Sequence, residues 1–373
     1  MKIKDVINRN ICKSVYIHIP FCNTICTYCD FCKFYYNKEL VDKYLVELNN
    51  EINTNYKGEV IETIYIGGGT PSSLSLEQIE RLLSITKIFN TNLKEFTFEC
   101  NIENIDEDKI KLLTKYGVNR ISIGVQTFNS EYLKFLNRKH SIDEVFTKVN
   151  MIKNYIDNIN IDLIYAIPGE TLDELKSDIE LFKQLDIDHI STYSLIIENN
   201  TILGNKKIEN IDDSLDNDMY NLIMNSLDSY EHYEISNFGK KKSLHNLTYW
   251  NNEEYYGFGM GASGYINNIR YTNTRSINNY LKGNYIYTKD ELSFNEIVEN
   301  EFILGFRKIE GINIDNFYNK YNININNIEF INKLVSDNKL IIDNNYLKIN
   351  KEYLYTSNDI LIEFMGVDYE KYI

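Results

Sequence analysis

Residues 15–29, Val15-Tyr16-Ile17-His18-Ile19-Pro20-Phe21-Cys22-Asn23-Thr24-Ile25-Cys26-Thr27-Tyr28-Cys29, decide how the rest of the chain is read. The run from Val15 to Ile19, ended by Pro20, predicts a buried strand that delivers a loop to the edge of a sheet. That loop carries three cysteines at C-x3-C-x2-C. Three thiolates can hold three irons of a 4Fe–4S cube and leave the fourth iron without a protein ligand, open to chelation by a small molecule. A cluster that only carries electrons would normally take a fourth cysteine. The same residues admit another reading, a structural zinc knuckle with Cys32 as fourth ligand.

Composition narrows the classes around this loop. The chain has 373 residues, 43% of them hydrophobic, enough for one large domain and a small one. A net charge of -15 argues against a general nucleic-acid binder, which needs clustered Lys and Arg for phosphate contacts. No apolar run reaches membrane-spanning length, and the opening Met-Lys-Ile-Lys-Asp is not a secretory signal, so a cytoplasmic protein without a membrane span is expected. Six cysteines, four of them between positions 22 and 32, suggest metal rather than disulfides; Cys12 and Cys100 stand apart.

Working outward from the loop, apolar β-branched runs recur at 15–19, 61–66, 95–99, 120–124, 159–165 and 189–195. Helix-period stretches lie between them at 39–53, 76–89, 106–116, 142–156 and 172–185. This alternation predicts a parallel sheet of βαβ units, an α/β fold in the form of a partial (β/α)6 TIM-like barrel with its chemistry at the C-terminal ends of the strands. The three prolines, Pro20, Pro71 and Pro168, each follow a predicted strand and mark its exit onto that face. Strand two ends in Gly67-Gly68-Gly69-Thr70, where a backbone can approach a ligand closely. Strand three ends at Glu99 and strand four at Gln126, polar groups at the open face that would otherwise cap helices. Asp162 sits within the apolar fifth strand, where an acid needs a partner. Ser194 ends strand six.

The aromatic Tyr28 before the last cysteine makes the loop resemble the radical S-adenosylmethionine (SAM) signature. The longer string from Tyr16 through Cys29-Asp30-Phe31 resembles the HemN/HemW group, which contains oxygen-independent coproporphyrinogen oxidases and haem chaperones. The resemblance implies that the amino and carboxylate groups of SAM bind the open iron, and that an electron from the cluster cleaves the sulfonium to a deoxyadenosyl radical. It implies a SAM site made of Tyr16, Tyr28, Gly68, Gly69, Thr70, Glu99, Gln126, Arg138, Asp162 and Ser194, with Glu99 and Gln126 on the amino group or ribose and Asp162 on a ribose hydroxyl. Arg138, in Leu136-Asn137-Arg138-Lys139-His140, is expected to pair with the SAM carboxylate. The family pattern there has glycine where this chain has Asn137, and the alternative for the Arg-Lys-His run is a solvated helix start.

Tyr233-Glu234-Ile235-Ser236-Asn237-Phe238 and His245-Asn246-Leu247-Thr248-Tyr249-Trp250, followed by a Gly-Phe-Gly stretch, are similar to the chaperone branch. His245 is a candidate axial haem ligand; the alternative is a histidine bonded to a turn carbonyl. Gly259-x-Gly261-x-x-Gly264 matches a dinucleotide fingerprint in letters only. It leads into a hairpin turning at Asn267-Asn268 rather than a helix, and reads as a glycine wall beside a flat ligand or a close-packed turn. The expected domains are a radical-SAM barrel over residues 1–240, a connecting segment over 241–285 and a helical and hairpin domain over 286–373. In the last, helical stretches precede strands at 340–343 and 346–349, a winged-helix-like pattern. Five Lys against eight Asp and Glu over 325–373 favour a cover or protein contact over DNA.

The leading expectation is therefore a haem chaperone that binds a 4Fe–4S cluster, SAM and haem, passes haem to an acceptor protein and takes electrons from a donor such as flavodoxin or ferredoxin. No catalytic acid or base is assigned. The alternative is an oxygen-independent coproporphyrinogen III dehydrogenase. Those enzymes carry a fourth cysteine two residues after the third, where this chain has Phe31, with Cys32 one residue too late. A further alternative is a non-catalytic metal-binding scaffold with no affinity for SAM.

Overall fold

The computed structural model describes residues 11–373, so the first ten residues of the expected barrel domain lie outside the described chain. Strand β1 (Ser14–Ile19) leads through Pro20 into β2 (Phe21–Cys22), which pairs in parallel with β3 (Phe34–Tyr35) and pinches the base of the cysteine loop. Then come β4 (Val60–Gly68), β5 (Asn90–Asn101), β6 (Arg120–Gln126), β7 (Asn158–Tyr165) and β8 (His189–Ser194). With β1 they form six parallel strands in the order β1-β4-β5-β6-β7-β8. Helices α1 (Lys38–Asn55), α2 (Leu76–Ile85), α3 (Glu107–Lys115), α4 (Ser130–Phe135), α5 (Ile142–Lys153) and α6 (Leu172–Gln184) supply the crossovers. The partial barrel expected from the alternation is the observed fold.

Local chemistry sets the helix starts. Ser75 with Gln78, Ser141 with Glu144 and Thr171 with Glu174 form reciprocal capping boxes that satisfy otherwise orphaned amides at the starts of α2, α5 and α6. The strands obey a two-residue rule that their apolar appearance conceals. Ile64, Ile66, Phe96, Phe98, Ile121, Ile123, Ile159, Ile161 and Ile190 belong to the buried apolar core that the helices cover. The alternating positions Tyr65, Glu99, Arg120, Ser122, Asn160, Asp162, Ser191 and Tyr193 border the barrel interior. Successive side chains on a strand point to opposite faces, so the interior is polar while the outer face carries the hydrophobic layer.

The barrel stays open because other strands occupy both edges. After the short α7 (Ile202–Asn205) and α8 (Asp213–Ser226), β9 (Glu231–Glu234) and β10 (Asn237–Gly239) add antiparallel to β8. Following α9 (Leu244–Trp250), β11 (Tyr255–Phe258) pairs in parallel with the free side of β1. The sheet then continues through β12 (Ser263–Ile266), β13 (Ile269–Asn273) and β14 (Ile286–Glu291) to twelve strands. The β12–β13 turn falls at Asn267 and Asn268, with φ of 51° and 64°, the left-handed pair a type I′ turn requires. Every residue of β14 is exposed, and its Lys289, Asp290 and Glu291 blunt an edge that would otherwise template aggregation.

The C-terminal domain carries α10 (Ile277–Tyr280) at its threshold, then α11 (Phe294–Gly305), α12 (Ile314–Tyr321) and α13 (Glu329–Ser336). A three-stranded sheet of β15 (Ile312–Asn313), β17 (Tyr346–Ile349) and β16 (Leu340–Asp343) completes the winged-helix-like unit. Phe302 packs between Phe317 and Phe364 at its centre. Backbone bonds from Ile235 to Arg307 and from Ile309 to Tyr233 join the unit to the β9 edge of the main sheet.

Candidate functional site

At the C-terminal ends of the six strands lies a cavity of about 530 Å³. Cys22, Cys26 and Cys29 line it together with Tyr28. Gly68, Gly69, Thr70 and Glu99 border the same space, as do Gln126, Arg138, Asp162 and Ser194. Two expected residues are not among its lining. Tyr16 turns its hydroxyl to Nδ1 of His18 at 2.9 Å. His245 is fully buried, with Nδ1 2.8 Å from the Thr63 hydroxyl and Nε2 2.8 Å from the Tyr249 hydroxyl. Both ring nitrogens are engaged, and burial holds the imidazole down to about 3. On that geometry neither ring nitrogen of His245, the residue expected as a candidate haem ligand, faces solvent or the cavity. Its motif neighbour Asn246 is the residue that reaches the cavity lining.

The cysteine loop is held by neighbours distant in sequence. Thr27 donates its amide to Leu136 O at 3.2 Å and its hydroxyl to Phe135 O at 2.9 Å. Leu203 of α7 donates to Thr27 O at 3.1 Å. Asn137, which stands where the family pattern has glycine, adopts φ of 61° and donates Nδ2 to Ile25 O at 2.7 Å. Asparagine is among the few side chains that tolerate this backbone region, and here the amide it brings clamps the loop.

The thiols themselves have few partners. Thr70 Oγ1 lies 3.5 Å from Cys22 Sγ, and Arg138 Nη1 lies 3.5 Å from Cys26 Sγ. Burial pushes the Cys22 thiol up to about 11 and raises that of Cys29, so a bound metal would have to drive their ionisation. No group of three or more His, Cys, Asp or Glu among the described residues converges on a point where a single ion would sit. The three cysteines line one roomy cavity. Cys32 lines a separate recess with Arg275 and packs against Gly261. The structure does not bring it to the other three. A Cβ on Gly261 would meet Cys32 Cβ at 2.5 Å, so the glycine-rich stretch is a close-packed turn.

The glycine turn after β4 is fixed by contact. Gly68 has φ of 113°, and a Cβ there would meet the His18 ring at 2.5 Å. Its amide donates to Glu99 Oε2 at 3.0 Å while Tyr65 donates to Glu99 Oε1 at 2.7 Å. Even so, burial pushes the Glu99 carboxyl up to about 7, and burial also raises Asp162. Asn160 Nδ2 reaches both Asp162 Oδ1 and Ser122 Oγ at 2.8 Å, while its carbonyl oxygen takes Ser191 Oγ at 3.1 Å and His189 Nδ1 at 2.6 Å. Ser194 Oγ donates to Asp216 Oδ2 at 2.7 Å. Gln126 sits at φ of 74°, where the β6–β7 register shifts, a strained backbone of the kind found at ligand sites. Arg138 bonds Asn101 Oδ1 at 3.0 Å and the Gly124 carbonyl, so it stands beside Cys26 rather than at the surface.

Sequence reasoning missed Tyr65, Asn101, Arg120, Ser122, Asn160, Ser191 and Tyr193, all of which line the cavity. Most of them stand at alternate positions of the strands, a pattern that the surrounding apolar residues conceal.

The Radical SAM superfamily profile matches residues 16–182. The Heme chaperone HemW of Lactococcus lactis subsp. lactis (strain IL1403) is 40% identical over 368 residues, spanning 94% of this chain and 97% of that protein. The protein of the same name from Bacillus subtilis (strain 168) is 40% identical over 83% of this chain and 87% of its own length. Among solved structures, coproporphyrinogen III oxidase (HemN) from Escherichia coli superposes with a TM-score of 0.83 at 20% identity. The match covers 98% of this chain and 92% of that one, a likeness of fold. No helix among the described residues is long and apolar enough to cross a membrane.

Proposed function

This chain belongs to the HemW family of radical SAM proteins, and from that premise we propose that it binds a 4Fe–4S cluster, SAM and haem, and passes haem to an acceptor protein. The observation that carries the reading is the single cavity in which Cys22, Cys26 and Cys29 face Gly68, Glu99 and Asp162. Three thiolates hold three irons and leave the fourth for the cofactor. A cluster held by Cys22, Cys26 and Cys29 would supply one-electron reduction of the sulfonium. The chain's own residues do the rest. The Gly68 turn offers backbone at close range, Glu99 accepts from the ammonium or ribose, and Asp162 accepts from a ribose hydroxyl. Arg138, whose Nη1 lies 3.5 Å from Cys26 Sγ, would meet the carboxylate.

Haem binding rests on kinship with relatives named heme chaperones and on the cavity mouth. Phe31 and Ile196 line that mouth and are 67% and 66% exposed, an apolar rim suited to a flat macrocycle. His245 has no part in this reading. Phe31 occupies the position of the oxidases' fourth cysteine, which supports the chaperone over a coproporphyrinogen dehydrogenase.

Anaerobic reconstitution tests the proposal. Expected are iron bound through the three cysteines, a sulfur-to-iron absorption band, a change in the reduced cluster's electron spin resonance on adding SAM, and a Soret band on titration with haem. A reconstituted cluster whose spectrum ignores SAM overturns the radical-SAM part. Turnover of coproporphyrinogen III with a reductant overturns the chaperone part.

A further inference from the structure

Arg120 opens β6 inside the barrel and lines the cavity floor beneath Glu99 and Asp162. It is 1% exposed, and its Nε has no partner. None of the ion pairs among the described residues includes it. A guanidinium is never neutral in a protein, and burying one with a donor left unpaired is costly. The surroundings show why it is kept there. Glu99 is occupied by Tyr65 and Gly68, and Asp162 by Asn160. Among the described residues neither carboxylate forms an ion pair, and cation and acids line one buried cavity.

The other titratable groups near Arg120 are not counter-ions. His189 is bonded at both nitrogens, to Asn160 and Tyr233, and His245 likewise to Thr63 and Tyr249. Glu95 is committed to the Leu244 and His245 amides at the start of α9. Tyr65 and Tyr193 are neutral phenols on the neighbouring walls, both held above their ordinary range by burial. Asp162 also feels Arg138; Glu99 has Arg120 as its nearby cation.

We propose that Arg120 is a positioning residue whose buried charge, acting through space rather than through an ion pair, keeps Glu99 and Asp162 available as anionic acceptors. The role in ligand binding rests on the SAM site proposed above. The electrostatic role does not, and the two are tested separately.

In the protein without SAM, both acids hold protons more tightly when folded than when unfolded. The stability tied to them is therefore greatest at low pH and falls as pH rises through the folded value, near 7 for Glu99. Arg120→Gln should deepen that fall by roughly tenfold in the folding equilibrium constant for each further unit that the carboxyls rise. Arg120→Lys should keep the wild-type slope, and Glu99→Gln added to Arg120→Gln should remove the part of the excess that belongs to Glu99, leaving that of Asp162. With SAM, Arg120→Gln should bind about tenfold more weakly at pH 7 and recover toward wild type by about pH 9, as the acids ionise unaided. A merely structural residue would give no such recovery.

An Arg120→Gln protein with wild-type pH slope overturns the proposal, as does Arg120→Lys falling as far as Arg120→Gln. Should Arg120→Gln alone not fold, the double variant with Glu99→Gln should recover folding, and a double variant no better than the single overturns the proposal. Wild-type protein that binds no SAM at any pH sinks the SAM reading while leaving the stability measurement to decide on Arg120.

Discussion

The cysteine loop at 22–29 and the first turn of α9, with His245, both present metal-ligating side chains in motifs. The fold treats them oppositely. The loop's thiols face a cavity with single long contacts at 3.5 Å to Thr70 and Arg138. His245 has both nitrogens saturated at 2.8 Å and no exposed surface. A ligating residue type has meaning only where its valence is left over after the fold has taken its share. The loop has valence to spare; α9 has spent that of His245 on Thr63 of β4 and on its own Tyr249.

The largest expected effect breaks the comparison at the loop. Cys22→Ala, Cys26→Ala and Cys29→Ala should each lose the cluster outright, read as bound iron after anaerobic reconstitution. Cys32→Ala should keep it, because Cys32 lines a different recess. Iron lost from the Cys32 variant would mean that the open-iron reading of the three-cysteine loop is wrong.

Next in size is His245→Ala. Removing a ring that bonds two buried hydroxyls should cost about 2–4 kcal/mol of stability by chemical denaturation, while the haem Soret titration stays as in wild type. Its acid behaviour gives a second check. The folded imidazole stays neutral down to about 3, whereas an unfolded histidine takes a proton near 6.5. Stability should therefore be full above pH 6.5 and decline below it by up to about 1.4 kcal/mol per pH unit from this residue. The variant should lack that share. Haem binding abolished in a protein of undiminished stability would restore the histidine as a ligand and erase the contrast between the two regions.

That contrast also explains what could be read from the letters. The six parallel strands were legible because Pro20, Pro71 and Pro168 and the glycine turn punctuate apolar runs of strand length, and the hairpin at Asn267-Asn268 because only such residues turn that way. The polar interior was not. Arg120, Ser122 and Asn160 lie within runs dominated by isoleucine, and their alternation is visible only once the barrel supplies an inside. Nor was the pairing of β11 with β1 legible, since it joins residues some 240 positions apart in sequence. The burial of His245 was illegible for a related reason: a motif records which residues stand together, not which way they face. Tyr249 is one helical turn away on α9, but Thr63 becomes a neighbour only after β4 and α9 have packed.

The smallest expected effect sharpens the comparison within the loop itself. Asn137 combines a left-handed backbone with a side-chain bond of 2.7 Å to Ile25 O, one residue before Cys26. The two contributions separate by substitution. Asn137→Gly keeps the backbone freedom and loses the amide, which should cost about 1 kcal/mol and quicken loss of iron to a chelator. Asn137→Ala loses both, adding about 1–2 kcal/mol of backbone strain. Iron release should therefore rank alanine fastest, glycine next and wild type slowest. Were the glycine variant as slow as wild type, the side-chain clamp would contribute nothing, and the loop's geometry would belong to its backbone contacts with Leu136 and Leu203 alone. If it ranks as expected, the asparagine at this position does with one side chain what glycine could only permit: it holds the middle cysteine of the three where its sulfur stays free.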